Sequence, residues 1–303
     1  MSKIFFDFAN HEFSADNSSL DYAKVSGPLS VIVQVTRRCN LACEFCSESE
    51  IYQEPSQEDL ETLKIKLTGT PRIYLSGGEP LVRKDIFEVI EMYHGAFQVL
   101  GLPTNSILMT PDVCKKLKGK VHYVNAGLDG PRLINDQVRG NFDGIIQGLL
   151  ALRDADIEVS LSTVILQKTL PHLSYVIQIA DILNIVKVKM VIPILRGRAK
   201  SLIGDDFASS ADIMAKFVEL KQLKERLGWK PRIKFTFWEK NTEGYAIIVY
   251  PDQRVHAWPV FDQPECVLYL GDLRTESMTD IWARYPYKRN HINKYVGISM
   301  NKA

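Results

Sequence analysis

The chain has 303 residues, 46% of them apolar and 24% charged, with 37 basic side chains against 36 acidic ones. That length and apolar content suffice for a full core and exclude a disordered or fibrous chain, and the near-zero net charge excludes the broad basic field of a nucleic-acid binder. Asp7 interrupts the apolar start and no run of about 18 apolar residues follows, so neither a secretory leader nor a membrane span is read and the expectation is a soluble, cytoplasmic protein with reduced thiols.

From residue 28 the texture alternates. Residues 28–36 (PLSVIVQVT) read as a buried strand, and 56–67 as a helix with Ser56 as N-cap and Asp59 three positions on, a capping-box arrangement. Strand-like runs follow at 72–76, 97–102, 122–128, 157–165 and 186–192, and helical patterns at 84–94, 110–118, 142–154 and 172–183 fill the gaps. Six β/α steps predict an α/β fold, a parallel sheet with crossover helices, whose sites lie at the carboxyl ends of its strands. Residues 196–210 read as a loop and 210–228 as a long helix stopped by Gly228. Two strands, 232–238 and 245–250, have hairpin spacing, and a helix is expected near 275–285. The expected organisation is an extension over 1–27, a sheet domain over 28–228 and a small α+β extension over 229–303.

The stretch VTRRCNLACEFCSESE (35–50) places Cys39, Cys43 and Cys46 at x3 and x2 spacing where the first strand ends. A closed zinc site wants four ligands, and no Cys or His lies between Cys46 and His94, so zinc needs a distant imidazole. Three thiolates suit a 4Fe-4S cluster with one iron open to a further ligand. Downstream, Gly77, Gly78, Glu79 and Pro80 follow the second strand. Paired glycines let backbone approach a ligand closely. Glu79 either accepts hydrogen bonds from a bound ammonium or serves as a charge at a helix start.

The cysteine spacing with Phe45 before the last thiol, together with SGGEP at 76–80, resembles the signature of radical S-adenosylmethionine (SAM) enzymes. GLPTNS (101–106) and GLDGPRLINDQVRG (127–140) are similar to phrases of the branch that modifies peptides and carries a SPASM or twitch extension. The resemblance implies a partial (β/α)6 TIM-like barrel, one 4Fe-4S cluster on Cys39, Cys43 and Cys46, and SAM held by Phe45, Gly77, Gly78, Glu79, Pro80 and Asn105. Arg139 is then either the partner of the SAM carboxylate or a surface arginine at a helix start. Gly127 falls where the branch usually has a ribose-binding serine, which leaves that contact to Asn125 or Thr163. Leu166 is either an adenine neighbour or core.

The tail departs from that pattern. YPDQRVHAWPV (250–260) has the rhythm of a cysteine-bearing hairpin with Trp258 where a thiol is expected, and only Cys266 precedes the LGDLRTESMTDIW phrase at 270–282. One thiol cannot hold an auxiliary cluster, so the extension is expected to carry none. Cys266 and Cys114 are plain thiols or, in a reaction that returns hydrogen to its substrate, donors, with Cys266 the catalytic candidate and Cys114 on a buried helix face. Trp238, Trp258, His256, Arg254 and Arg274 either line a substrate entrance or fill the gap between tail and barrel. The expected function is hydrogen abstraction from a ribosomal peptide in natural-product maturation, with a small metabolite as the alternative, served by an external reductant such as flavodoxin or ferredoxin. A non-catalytic iron-sulfur protein or a zinc-binding protein stands outside the enzyme class.

Overall fold

The computed structural model describes residues 4–7, 12–15, 25–48, 53–236, 246–258, 268–285 and 299–300. A hairpin of β1 (Ile4–Asp7) and β2 (Glu12–Ala15) precedes the main sheet. The alternating steps then run β3 (Ser30–Thr36), α1 (Gln57–Lys66), β4 (Arg72–Gly77), α2 (Ile86–Tyr93), β5 (Val99–Thr104), α3 (Pro111–Leu117) and β6 (Tyr123–Gly127). They continue with α4 (Arg132–Val138), α5 (Phe142–Asp154), β7 (Val159–Val164), α6 (Leu173–Ile182), β8 (Lys187–Val191), α7 (Ser210–Leu227) and β9 (Arg232–Thr236). Strands β3 to β9 lie side by side in chain order, all parallel. β10 (Ala246–Val249), β11 (Arg254–Trp258), β12 (Tyr269–Asp272), α8 (Met278–Ala283) and β13 (Ser299–Met300) complete the described elements.

Side-chain alternation decides which face of each strand meets the helices. Val31, Val33 and Val35 of β3, Ile73 and Leu75 of β4, and Val188 and Met190 of β8 all belong to one buried core with the helices. The intervening residues, among them Tyr74, Asn125, Ser160, Ser162 and Lys189, line an interior cavity. Each buried branched side chain is worth about 1.5–3 kcal/mol. A one-residue slip of β3 would turn its three valines toward the polar interior and cost roughly 5–9 kcal/mol, comparable to the net stability of a whole domain.

Local signals operate as the sequence predicts at α1. The Ser56 hydroxyl accepts from Asp59 N at 3.0 Å, and the Asp59 carboxylate accepts from Ser56 N at 2.9 Å. Gly228, in the left-handed region, ends α7. No described helix is long and apolar enough to cross a membrane.

The hairpin expected between 232–238 and 245–250 does not form. β9 extends the sheet beside β8, whereas β10 pairs in parallel with β3 at the other side. Spacing alone allowed either arrangement. The deciding property is that Ala246–Val249 is buried at every position, the mark of a strand covered on both faces. β10 then pairs antiparallel with β11, and β11 with β12, so the sheet runs across the expected boundary at residue 228 and, among the described residues, carries eight parallel strands, β3 to β10, where six were expected. One cavity is lined both by Lys234 of β9 and by Trp258 of β11, so the sheet curls until its opposite edges face each other. At the end where β4 to β6 begin, Phe6 of the leading hairpin packs on Val99 and Tyr123, stacked on the Tyr123 ring at 6.2 Å with Arg72 over its face.

Candidate functional site

The segment that leaves β3 carries the three cysteines at the carboxyl end of the sheet, and all three line the interior cavity of about 960 Å³. Neighbouring elements fix this segment by several routes. Arg37, buried, pairs with Glu48 at 2.5 Å and lies over the Tyr250 ring at 5.4 Å. Glu48 also takes Arg196 at 3.0 Å, and the Arg196 guanidinium donates to the Tyr250 hydroxyl at 3.2 Å. Arg198 donates from its backbone N to Cys46 O and from Nε to Cys43 O, both at 2.9 Å. Glu44 N donates to Val138 O at 3.1 Å. The cysteine loop is thus held by the end of α4, by the segment after β8 and by the end of β10.

Cys43 and Cys46 are half-buried, and Cys39 is exposed as a residue although its thiol is partly enclosed. Burial pushes the Cys43 thiol up to about 11, opposed by Arg139 and reinforced by Asp129, Cys46 and Cys39. Thiols gathered at the rim of one cavity, with burial first opposing the ionisation of Cys39 and Cys43, suit a cationic metal group, which reverses that penalty. The described lining holds no fourth cysteine and no histidine. Among the described residues no group of three or more His, Cys, Asp or Glu side chains is placed to hold a metal ion as it stands. With no fourth thiol or imidazole in the described lining, the three-thiol set fits a cluster with an open position better than a closed zinc site.

The glycine pair has a packing reason. A Cβ on Gly77 would stand 2.3 Å from Thr36 O and one on Gly78 2.4 Å from Arg38 O. Without them, Gly78 N reaches Thr36 O at 3.1 Å and Glu79 N reaches Arg38 O at 2.9 Å, which docks this turn on the segment leading into Cys39. Glu79 is fully buried. Its Oε1 accepts from Leu81 N at 3.1 Å and the Thr104 hydroxyl at 2.9 Å, and its Oε2 from Asn105 N at 2.7 Å. Burial raises its pKa against these donors. Glu79 thereby caps the short 3-10 turn Pro80–Val82 and fastens the end of β5; neither Glu79 nor Pro80 is part of the cavity wall, whereas Gly77, Gly78 and Asn105 are. Asn105 Nδ2 donates to Asn40 Oδ1 at 2.6 Å, beside Cys39.

The GLDGPRLINDQVRG phrase forms a closed circuit. Arg139 Nε meets Asp129 Oδ2 at 2.7 Å, and Asp129 Oδ1 accepts from Val164 N at 2.8 Å. Asn135 accepts from Asp129 N and donates to Gly140 O, both at 3.1 Å, and Asp136 accepts from Phe142 N at 2.7 Å. The Arg139 side chain is 12% exposed, lies over the Phe45 ring at 4.9 Å and lines the cavity, so the surface alternative is corrected: the pairing is internal. Gly127 is explained by the same group, because a Cβ there would lie 2.4–2.7 Å from the Arg139 guanidinium.

Asn125 and Thr163 both line the cavity, and the buried Thr163 hydroxyl has no hydrogen-bond partner among the described residues. Leu166 is fully buried with Val138, Val164, Ala199 and Leu202, against which Phe45 packs, and is not part of the cavity wall. Of the tail candidates among the described residues, only Trp258 lines the cavity. His256 packs between the Tyr250 and Tyr269 rings, and Arg254 and Arg274 pair with Asp252 and Asp272. Cys114 is buried on α3, as expected, and Cys266 and Trp238 lie outside the described residues. Sequence reasoning missed Arg37, Glu48, Arg196, Tyr250 and Arg198, which are scattered along the chain. It also missed the cations of the inner wall, although lysines alternating with apolar residues in VKVKMV signalled a strand with one charged face.

Residues 33–173 match the Radical SAM superfamily. The chain is 30% identical over 199 residues to an Fe-coproporphyrin III synthase of Methanosarcina barkeri, covering 62% of this chain and 50% of that protein. It is 28% identical over 159 residues to a mycofactocin maturase of Mycolicibacterium smegmatis, covering 49% and 41%. The chain thus spans about half the length of the curated relatives it matches. Its fold is similar to that of Streptococcus suis SuiB, solved with the precursor peptide SuiA, at a TM-score of 0.72 over 88% of this chain and 67% of that one. At 14% identity this likeness concerns the fold alone.

Proposed function

With residues 33–173 a radical SAM domain, whose cofactors are a 4Fe-4S cluster and SAM, we propose that the protein is an enzyme that reductively cleaves SAM and abstracts hydrogen from a substrate in the interior cavity. The observation that carries this reading is the set of three thiols, Cys39, Cys43 and Cys46, on the rim of a cavity whose described lining offers no fourth thiol or imidazole. When bound, the cluster would pass one electron from an external reductant to SAM, whose carbon-sulfur cleavage would give methionine and a 5′-deoxyadenosyl radical.

The chain's own residues bind, orient and enclose. Cys39, Cys43 and Cys46 hold the cluster, and the Arg37–Glu48–Arg196 ion pairs keep their loop in one position. Arg139, with Nε committed to Asp129, turns the rest of its fork to the SAM carboxylate, a geometry for which guanidinium is suited. Asn105 and the backbone of Gly77 and Gly78 border the methionine moiety, and Asn125 or the unpartnered Thr163 hydroxyl takes the ribose. Glu79 and Leu166 act from behind, one fixing the turn and the other supporting Phe45.

A ribosomal peptide is supported as substrate by the GLDG…ND…RG phrase and by the mycofactocin maturase relative. A small metabolite is supported by the charged inner wall of the cavity and by the Fe-coproporphyrin III synthase relative. The test of the shared core is anaerobic reconstitution with iron and sulfide, followed by reduction with dithionite or flavodoxin. A cluster spectrum perturbed by SAM, with 5′-deoxyadenosine released, is expected; colourless protein holding one zinc sinks the reading.

A further inference from the structure

The cations in the described wall of the cavity differ in what stands against them. Near the cysteines, Arg37 pairs with Glu48, Arg38 with Glu54 and Arg139 with Asp129. The cations deeper in the wall also interact within the chain. Arg198 is placed differently. It belongs to the short 3-10 turn Gly197–Ser201 after β8, is half-buried, and lines the cavity together with Cys39, Cys43 and Cys46. Its backbone N donates to Cys46 O and its Nε to Cys43 O, both at 2.9 Å, and Ala199 N adds a longer bond to Cys46 O at 3.4 Å. Among the described residues the bond to Cys43 O is the only one its side chain makes, and no carboxylate pairs with it.

A neutral donor would serve that one bond as well, so the positive charge calls for a separate reason. Its field reaches the thiols. At Cys39 burial pushes the thiol up, and the Arg198 charge works against it. Arg139 acts in the same sense at Cys43, but its partner Asp129 acts in the opposite one, so that pair brings little net charge to the loop. A 4Fe-4S cluster held by three thiolates is net negative, and reduction adds one more negative charge. The net charge and hydrogen bonding around such a cluster set its potential, and a fixed cation close to it favours the reduced form. Partial burial limits the screening of that cation by salt.

We propose that Arg198 is a positioning residue with a second role: besides docking the Cys43–Cys46 loop, its charge raises the reduction potential of the cluster bound by Cys39, Cys43 and Cys46, which eases the one-electron transfer from the external reductant. This rests on the radical SAM reading and concerns the electron-accepting step of the same site.

Two substitutions separate the charge from the hydrogen bond. Glutamine carries its amide nitrogen as many bonds from Cα as arginine carries Nε, so Arg198→Gln keeps a donor for Cys43 O and loses the charge. Arg198→Lys keeps the charge and puts a methylene where Nε was. The backbone bond to Cys46 O persists in both. Redox titration of the anaerobically reconstituted protein without SAM, followed by EPR of the reduced cluster, reads the midpoint. Arg198→Gln is expected to lower the ratio of reduced to oxidised cluster at a fixed potential about tenfold, a fall of about 59 mV for one electron, while Arg198→Lys stays within about threefold of wild type. Iron content and the urea midpoint of the apoprotein check that each variant folds and fills. If Arg198→Gln does not fill, Arg198→Met is compared with Arg198→Lys, since both lack the Nε donor and only one is charged; the methionine variant should lie about tenfold below the lysine variant. An unchanged midpoint in Arg198→Gln, a tenfold fall in Arg198→Lys, or equal midpoints for the methionine and lysine variants overturns the proposal. SAM-dependent release of 5′-deoxyadenosine by the wild-type protein is scored separately. A wild-type cluster that is reduced without releasing it removes the radical reading and leaves the charge effect to the titration. Release with a midpoint unmoved in Arg198→Gln removes the charge effect alone, and a wild-type protein that assembles no cluster removes both.

Discussion

Replacing Gly127 with Ser puts a side chain where the Arg139 guanidinium lies, with the new Cβ at 2.4, 2.5 and 2.7 Å from Nη1, Cζ and Nη2. Ordinary contact begins near 3.5 Å, so the group must move by about 1 Å. It is not free to do so cheaply. Nε is 2.7 Å from Asp129, the ring of Phe45 lies 4.9 Å away, and Asp129 is itself fully buried with its other oxygen committed to Val164 N. Strain alone would cost about 1–3 kcal/mol, and outright loss of the pair about 3–5 kcal/mol because a buried carboxylate would remain. With a urea slope near 3 kcal/mol/M, the smaller range lowers the unfolding midpoint by about 0.3–1 M. A double-mutant cycle isolates the cause: in an Arg139→Ala background Gly127→Ser should cost at least about 1 kcal/mol less than in wild type. An unchanged midpoint, or an equal cost in both backgrounds, would refute the claim that Gly127 exists to make room for Arg139.

Single Cys39→Ala, Cys43→Ala and Cys46→Ala variants should each lose both the iron-sulfur absorption after reconstitution and SAM cleavage; a variant that keeps both would remove its cysteine from the ligand set. In Glu79→Gln, whichever oxygen becomes an amide faces a backbone donor, Leu81 N or Asn105 N, and urea unfolding should register a loss of about 1–3 kcal/mol. His256 is held neutral, its pKa lowered to about 4 by burial and by Arg254 and Arg196 against Asp252. The unfolded chain takes up a proton near pH 6.5 and the folded one does not, so stability is complete above about pH 6.5 and declines as pH falls toward 4. Partial exposure discounts the effect to the order of 1 kcal/mol at pH 5, which His256→Phe should abolish when unfolding is compared at pH 7 and pH 5.

The strands from β3 to β8 were legible because their outer faces repeat apolar residues with period two, and α1 because its cap is written in two residues, Ser56 and Asp59. The partnership of β10 was not, since which strand an apolar run pairs with depends on residues far away. Cys39, Cys43 and Cys46 were legible because three ligands on one short loop leave a spacing. The surroundings that hold the loop come from residues 37, 48, 196, 198 and 250, and no local pattern joins them. Arg139 and Glu79 show a further limit: both stand in recognisable phrases, yet much of their hydrogen bonding goes to neighbours in the fold, and a phrase does not say which atoms face inward.

The parallel pairing of β10 with β3 joins Ile32 to Ile248. Such a contact cannot form on the ribosome until most of the chain has emerged, and pairings of this separation close late. Tyr250, which meets Arg37 and Arg196, arrives with that strand. The cysteine loop is therefore synthesised early, and the Tyr250 contacts that help to clasp it wait for a strand encoded some two hundred residues later.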